Sequence, residues 1–598
     1  MKPLIQLAFL LLAFMFSTHS YSKEDTKSNV QVLLGQKIPM RDGISLDATI
    51  YKPKHIDKSL PVIVYLTPYV TDHATKRGFH MAENDFVFVA VNSRGRGDSE
   101  GKFVALENEG RDGHDIIEWA AEQTWSSGKV GMLGGSYVGF VQWTTLKEFP
   151  EGLSSMLPIA SVGPGIDFPM YKNMAYPYSL RWLTFTEGKT SRIELFRSHE
   201  NFWKDAEIAL YQSQLPLPHY SEKTGIKNAL FDKWLSHNTF DDYWKSMHPT
   251  QADYSKIDIP ILSLTGFYDA DYPGAMNYYN QHMTHGNQSA INNHFLIMGP
   301  WDHGQTRRPK NELGGLKTGD QGVLEMFDLY VDWFNWTLRD GTKPEILKDR
   351  VAYYVIGKND WYYANSYQEF QQPSTKLYFS HTVNPSSVFN AGLLHAQKPT
   401  KPMVAEFESN PLINKQSSKA VDDYLFDQTS VMSIAGDGLI YHTKPFTENM
   451  VISGEIKASL ALSLTAPDAD IEIRVSEITA SGKSIHLASD RTRVRYRDSL
   501  ENASLLPIGD IANVNFQHFF FNGKLLEKGS RLRVVITPVN SHGSQRNFQT
   551  GGDINKESGQ VGKKATIYLH NKGTHTSSIS FPLITEKEFD KKGDNSAE

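Results

Sequence analysis

Cysteine is missing from all 598 positions. That excludes disulfide bridges, thiolate zinc sites, a cysteine nucleophile and a lipidated cysteine anchor. Excess positive charge is missing too. The formal net charge is −6 and the isoelectric point about 6.4, which argues against nucleic acid as a partner, since that needs a basic face. After Phe16 no apolar run reaches the ~20 residues that span a bilayer, so no integral membrane span is expected once the N-terminus is removed. The sequence also lacks His-Glu-x-x-His and a Gly-x-x-x-x-Gly-Lys-[Ser/Thr] phosphate loop. What is present is ordinary globular composition, 40% apolar and rich in aromatics at 12%. The length predicts two to four structural units, each of roughly 100–200 residues.

The N-terminus reads as a targeting segment. Met1-Lys2-Pro3 is a short cationic start, Leu4 to Phe16 is apolar apart from Gln6, and Ser17 to Ser22 is small and polar. This is the layout of a secretory signal peptide over 1–22. The mature protein is therefore expected to be exported, to the periplasm or beyond the cell.

Two halves follow. The first alternates apolar runs with helical stretches: Pro61–Leu66, Phe86–Val91, Lys129–Leu133 and Met156–Ala160, then Ile261–Thr265 and Phe295–Met298. Runs apolar on both faces predict an α/β fold, a parallel sheet covered by helices. The stretch 161–256 is rich in aromatics and helix formers and predicts a helical cap over the sheet's C-terminal edge. From about Arg350 period-two segments dominate, such as Ala458–Leu464, Ile471–Val475 and Arg531–Ile536. They predict an all-β sandwich or jelly roll. The expected units are 30–345 and 346–590, the second a jelly roll.

Gly134-Gly135-Ser136-Tyr137-Val138-Gly139 carries the sharpest chemical signal. A strand, a tight glycine-flanked turn bearing serine and then a helix is the nucleophile elbow of α/β-hydrolases. A serine nucleophile needs a base and an orienting acid. The fold puts the acid after the next-to-last strand and the histidine after the last. Asp269 and His303 stand at those places, with Asp271 a competitor for the acid and Asp302 a poor one, being adjacent to the histidine. The oxyanion hole needs two donors. The Tyr137 backbone N–H is one, and Tyr69, in the loop after Pro61–Leu66, offers its phenol as the other.

With these residues in place the chain resembles the cocaine esterase/NonD serine hydrolase superfamily, with its Xaa-Pro dipeptidyl-peptidases, α-amino acid ester hydrolases and cephalosporin acylases. The resemblance runs from Ile38–Leu46 through Ser93–Phe103, Gln123–Met132, the Ser136 elbow and the two turns bearing Asp269 and His303. It continues in Pro467-Asp-Ala-Asp470, Arg493–Arg497 and Gly529–Arg533, which resemble the family's C-terminal jelly-roll domain. It implies a Ser136–His303–Asp269 triad and an oxyanion hole of Tyr69 and Tyr137.

The amino acid ester hydrolases grip a substrate ammonium with a carboxylate cluster. Here Asp271 matches one position, Tyr272 replaces an acid at the next, and the expected cap acid is replaced near Lys172 and Asn173. Asp271, Tyr272 and Trp301 are the expected substrate contacts. The expected reaction is hydrolysis of small acyl or aminoacyl esters or amides, with Xaa-Pro peptides and other short peptides as the alternative. No cofactor and no metal are expected, although Asp302 and His303 with Asp269 and Asp271 could imitate an Asp/His metal set. A homo-oligomer is compatible with the sequence. The reading of another class is an inactive exported glycan-binding protein.

Overall fold

The computed structural model describes residues 28–413 and 423–594. The signal-peptide reading falls on residues outside this range. Among the described residues no helix is long and apolar enough to cross a membrane.

A ten-stranded sheet organises the first half. By starting residue its strands run 30, 45, 87, 60, 126, 153, 261, 294, 351, 360 across the sheet. Neighbours from 87 to 351 pair in parallel, and antiparallel strands close both edges. Leu60–Thr67 and Val87–Asn92 are buried at every position, as the continuous apolar runs predict for strands covered on both faces. The sheet does not stop at residue 345. Val351–Val355 joins the strand His294–Asp302 in parallel, and Asp360–Ala364 pairs back on it. A period-two run looks the same whichever sheet receives it, so its partner was not legible.

Residues 178–254 contribute seven short α-helices, from Tyr178–Thr186 to Gln251–Tyr254, over the region predicted as a cap. Beyond residue 374 the chain is β-rich, with fourteen strands linked into one assembly. All its pairings are antiparallel except Gly392–His395 with Leu439–His442.

The two halves meet through buried charge. Arg493 makes a bidentate contact to Asp470 with both distances 2.9 Å, and Asn547 bridges Asp468 and Asp470 at 2.7 and 2.8 Å. The same Arg493 donates to the Asn173 carbonyl at 3.0 Å. Tyr171 donates to Asp490 at 2.8 Å, and Arg491 to the Tyr176 hydroxyl at 2.5 Å. The acidic and arginine motifs of the second half therefore dock the hairpin Met170–Ala175 of the first.

Several histidines are sealed in this interior. His248 hydrogen-bonds the Pro164 carbonyl at 2.8 Å, and the His282 and His294 Nδ1 atoms lie 2.8 Å apart. Burial lowers His248 and His282 to about 4 and His294 further. Unfolding returns each to about 6.5, so between pH 6.5 and 4 the unfolded chain binds more protons. The stability these groups contribute is complete above pH 6.5 and is lost as the pH falls toward 4. Urea unfolding is expected to give a free energy falling by up to about 1.4 kcal/mol per pH unit for each such histidine in that window. Buried acids such as Glu109, pushed up to about 7, run the other way in this window, so the readout is the difference between the native protein and His248→Gln, and an unchanged slope in that variant would contradict the assignment.

Candidate active site

The strand Ser126–Gly135 runs directly into Ser136, which caps the helix Tyr137–Leu146 with φ 62° and ψ −128°. For a residue with a Cβ this conformation costs about 1–3 kcal/mol. The neighbours show why glycine surrounds it. A Cβ on Gly134 would lie 2.2 Å from the Val138 side chain, and one on Gly139 2.5 Å from Ser161 Oγ. The Ser136 N–H donates to the Ile159 carbonyl of the next strand at 2.9 Å, which fixes the turn against the sheet.

Two adjacent strand ends deliver the other groups. Asp269 follows Ile261–Tyr268 and is fully buried. His303 follows His294–Asp302, and its Nδ1 lies 2.8 Å from Asp269 Oδ1. Asp269 Oδ1 also accepts the Asp271 N–H at 2.9 Å, while its Oδ2 is buried without a hydrogen-bond partner. Asp302 takes another job: its Oδ1 accepts the Gln305 N–H at 2.9 Å and shapes the turn.

Asp271 sits 3.5 Å from His303 Nδ1, and the nearby Ser136 hydroxyl acts to hold its carboxyl down. Burial pushes its carboxyl up to about 6, against the pull of His303, while the charge of Asp269 adds to the rise. For His303 burial acts downward, but the charges of Asp269 and Asp271 and the hydrogen bond to Asp269 outweigh it, so the imidazole is raised above its usual value. The site thus brings together Ser136, Asp269, Asp271 and His303.

Tyr69 and Tyr137 lie at the same strand ends. The Tyr69 hydroxyl accepts the Trp182 indole N–H at 3.1 Å. Tyr137 opens the elbow helix, where a backbone N–H has no partner within its own helix. Its phenol donates to the buried Glu109 carboxylate and accepts the Leu106 N–H at 2.7 Å. Burial raises Glu109 to about 7.

Two expected substrate contacts are corrected. Trp301 is fully buried, with its indole N–H donated to the Gly322 carbonyl at 2.8 Å; it is core. Tyr272 is 3% exposed, and its hydroxyl meets Tyr367 at 3.0 Å and Glu455 at 3.3 Å, engaged with the β-rich half.

One acid escaped the sequence reading. Asp167 is buried, accepts backbone N–H groups of Gly163 at 2.8 Å and Gly274 at 2.5 Å, and is raised by burial and then by the charge of Asp271. Its signal was an acid inside the otherwise apolar Ser161–Tyr171.

Arranged this way, strand order, elbow and histidine turn define an α/β-hydrolase. Residues 42–305 match the X-Pro dipeptidyl-peptidase (S15) family, and residues 345–580 the X-Pro dipeptidyl-peptidase C-terminal non-catalytic domain. Between them the two matches span most of the chain, which is an enzyme and is similar to the cocaine esterase/NonD-type serine hydrolases. It is 23% identical to a cocaine esterase of Rhodococcus sp. (strain MB1 Bresler), over 93% of this chain and 99% of that one. An α-amino acid ester hydrolase structure superposes with TM-score 0.78 at 21% identity, covering 96% of this chain and all of the other. An aminopeptidase from a marine sediment Thaumarchaeota archaeon gives 0.77 at 20% identity, covering 93% and 97%.

Proposed function

We propose that the protein hydrolyses ester or amide bonds of small acyl or aminoacyl substrates through an acyl-enzyme on Ser136, with His303 as general base and Asp269 as its orienter. The observation that carries this reading is the 2.8 Å contact between His303 Nδ1 and the buried Asp269, beside a strained serine at the elbow. His303 takes the Ser136 proton as the hydroxyl attacks the carbonyl, then passes it to the leaving group. Asp269 holds the Nδ1–H tautomer and stabilises the imidazolium. Tyr69 and the Tyr137 N–H receive the oxyanion. Water, activated by the same histidine, releases the acid. A chelator is expected to leave the rate unchanged, because every proposed step is carried by Ser136, His303, Asp269 and the two oxyanion donors. Export through residues 1–22 belongs to the same proposal.

Asp271 favours aminoacyl substrates. It is a second carboxylate beside the nucleophile, with Asp167 behind it. A matched panel tests this: aminoacyl p-nitrophenyl esters and anilides, their N-acetylated forms, and Xaa-Pro anilides. The free amine is expected to be preferred, and Asp271→Asn to remove about tenfold or more of that preference. Xaa-Pro anilides cleaved faster than the esters would move the enzyme to the dipeptidyl-peptidases. Indifference to the amine in the native enzyme would make Asp271 incidental to binding. The same variant reports on pH. Loss of the Asp271 charge removes an interaction that raises His303, so the acid limb of kcat/KM is expected to move to lower pH.

A further inference from the structure

We propose that Trp182, on the cap helix Tyr178–Thr186, is a positioning residue that aims the Tyr69 hydroxyl proton into the oxyanion hole. This deepens the reading above and rests on Tyr69 being an oxyanion donor. The argument starts from the chemistry of indole, whose N–H can only donate. Trp182 Nε1 lies 3.1 Å from the Tyr69 oxygen, so in this contact the phenol accepts. A phenol that accepts on one lone pair keeps its own O–H for another partner. No acceptor among the described residues takes that proton. Burial raises the phenol well above its usual range, so the proton is retained at every working pH.

Packing fixes the geometry. The Tyr69 ring stacks on Phe185 at 5.3 Å with an interplanar angle of 19°, and meets Trp182 edge-on at 6.3 Å and 87°. Both partners come from one helix. Trp182 is in turn 6% exposed and stacks on the Tyr137 ring at 5.1 Å and 28°. Phe168 and Trp234 hold its other sides. One indole therefore touches both residues assigned to the oxyanion hole: the phenol through its N–H, and the elbow tyrosine through its face. At the backbone, Arg96 holds the Tyr69 loop by donating to the Pro68 carbonyl at 2.7 Å. The cap thereby becomes part of the catalytic geometry rather than only a cover.

The experiment is a double-mutant cycle on the purified full-length mature enzyme, using one p-nitrophenyl ester. Trp182→Phe removes the N–H. Replacement of Trp182 by 3-benzothienylalanine removes it while keeping the ring's shape, which guards against a variant that fails through lost packing. Each is made in the native and the Tyr69→Phe background. In the native background both are expected to lower kcat about five- to tenfold, the scale of one hydrogen bond, with KM within about twofold. In the Tyr69→Phe background they are expected to cost less than twofold, because the group they aim is gone. An equal loss in both backgrounds, or a rise in KM with kcat unchanged, would overturn the assignment and make Trp182 a packing or substrate-contact residue. A silent Tyr69→Phe would instead overturn the oxyanion reading beneath it, and is recognised separately by an unchanged kcat in that single variant.

Discussion

Ser136→Ala is expected to lower kcat by about 10⁶-fold, the loss seen when a triad acts as one unit, with the fold intact. The Ser136 hydroxyl is the only group at the elbow that can form the acyl-enzyme. Its neighbours are glycines, Tyr137 and Val138, and none of these carries a nucleophile with the half-buried, strained placement of Ser136. Alanine keeps the Cβ and so keeps the φ of 62°. Stability should therefore change little. Ser136→Gly tests the other half of the argument. Glycine adopts this conformation without strain, so the variant should be inactive yet more stable by about 1 kcal/mol. Rate assays and urea titrations of the two variants separate chemistry from strain. A Ser136→Ala enzyme that still hydrolyses its ester at the native rate would remove the nucleophile from the account.

Asp269→Asn is expected to lower kcat by about 10⁴-fold. Asp269 Oδ1 accepts from two donors, His303 Nδ1 at 2.8 Å and the Asp271 N–H at 2.9 Å. An asparagine that keeps its oxygen at that position buries its NH₂ without an acceptor where Oδ2 stands, and one that flips turns its NH₂ on both donors and favours the wrong imidazole tautomer. The charge is also lost. Asp269 is the largest of the groups that raise His303, so the surviving activity should show an acid limb at lower pH. A pH profile of kcat/KM checks both parts. Loss of rate with the limb unmoved or moved upward would mean that Asp271, at 3.5 Å, is the true partner of the histidine.

Much of this site was legible from order alone. Ser136, Asp269 and His303 each follow the end of a strand of the parallel sheet, and such a sheet brings those ends to one edge whatever the sequence separation. The elbow was readable because its glycines answer to close contacts that the sheet itself imposes. What a side chain faces was less legible. Trp301 is two residues from His303, yet its indole reaches Gly322. Tyr272 adjoins Asp271, yet its phenol turns toward Glu455 in the other half of the chain. Neighbours in a turn diverge, and their partners arrive from distant segments that local pattern cannot name. Trp182 shows the same limit. It is core by burial, but its N–H is spent on Tyr69, 113 residues earlier. The strands at 351–364 joined the first sheet for a similar reason. Their alternation says strand, and only the long-range pairing with residues 296–298 says which sheet.

The arginine and acid motifs beyond residue 467 have a physical account that ties the second half to the site. Arg493 and Asp470 are sealed from solvent and satisfy each other. They leave one donor for the hairpin that leads into Tyr176, which feels the charges of Asp167 and Asp271. The β-rich half thus anchors the hairpin Met170–Ala175 from behind, while the cap reaches the Tyr69 hydroxyl through Trp182.

The most direct test of the central claim is covalent. The purified enzyme is treated with a fluorophosphonate, its intact mass is measured, and the modified residue is located by peptide sequencing. The account predicts one adduct, on Ser136, formed in step with loss of hydrolysis and absent from Ser136→Ala. Full loss of activity with the label on another residue, or continued turnover in a protein whose Ser136 is fully labelled, would contradict it.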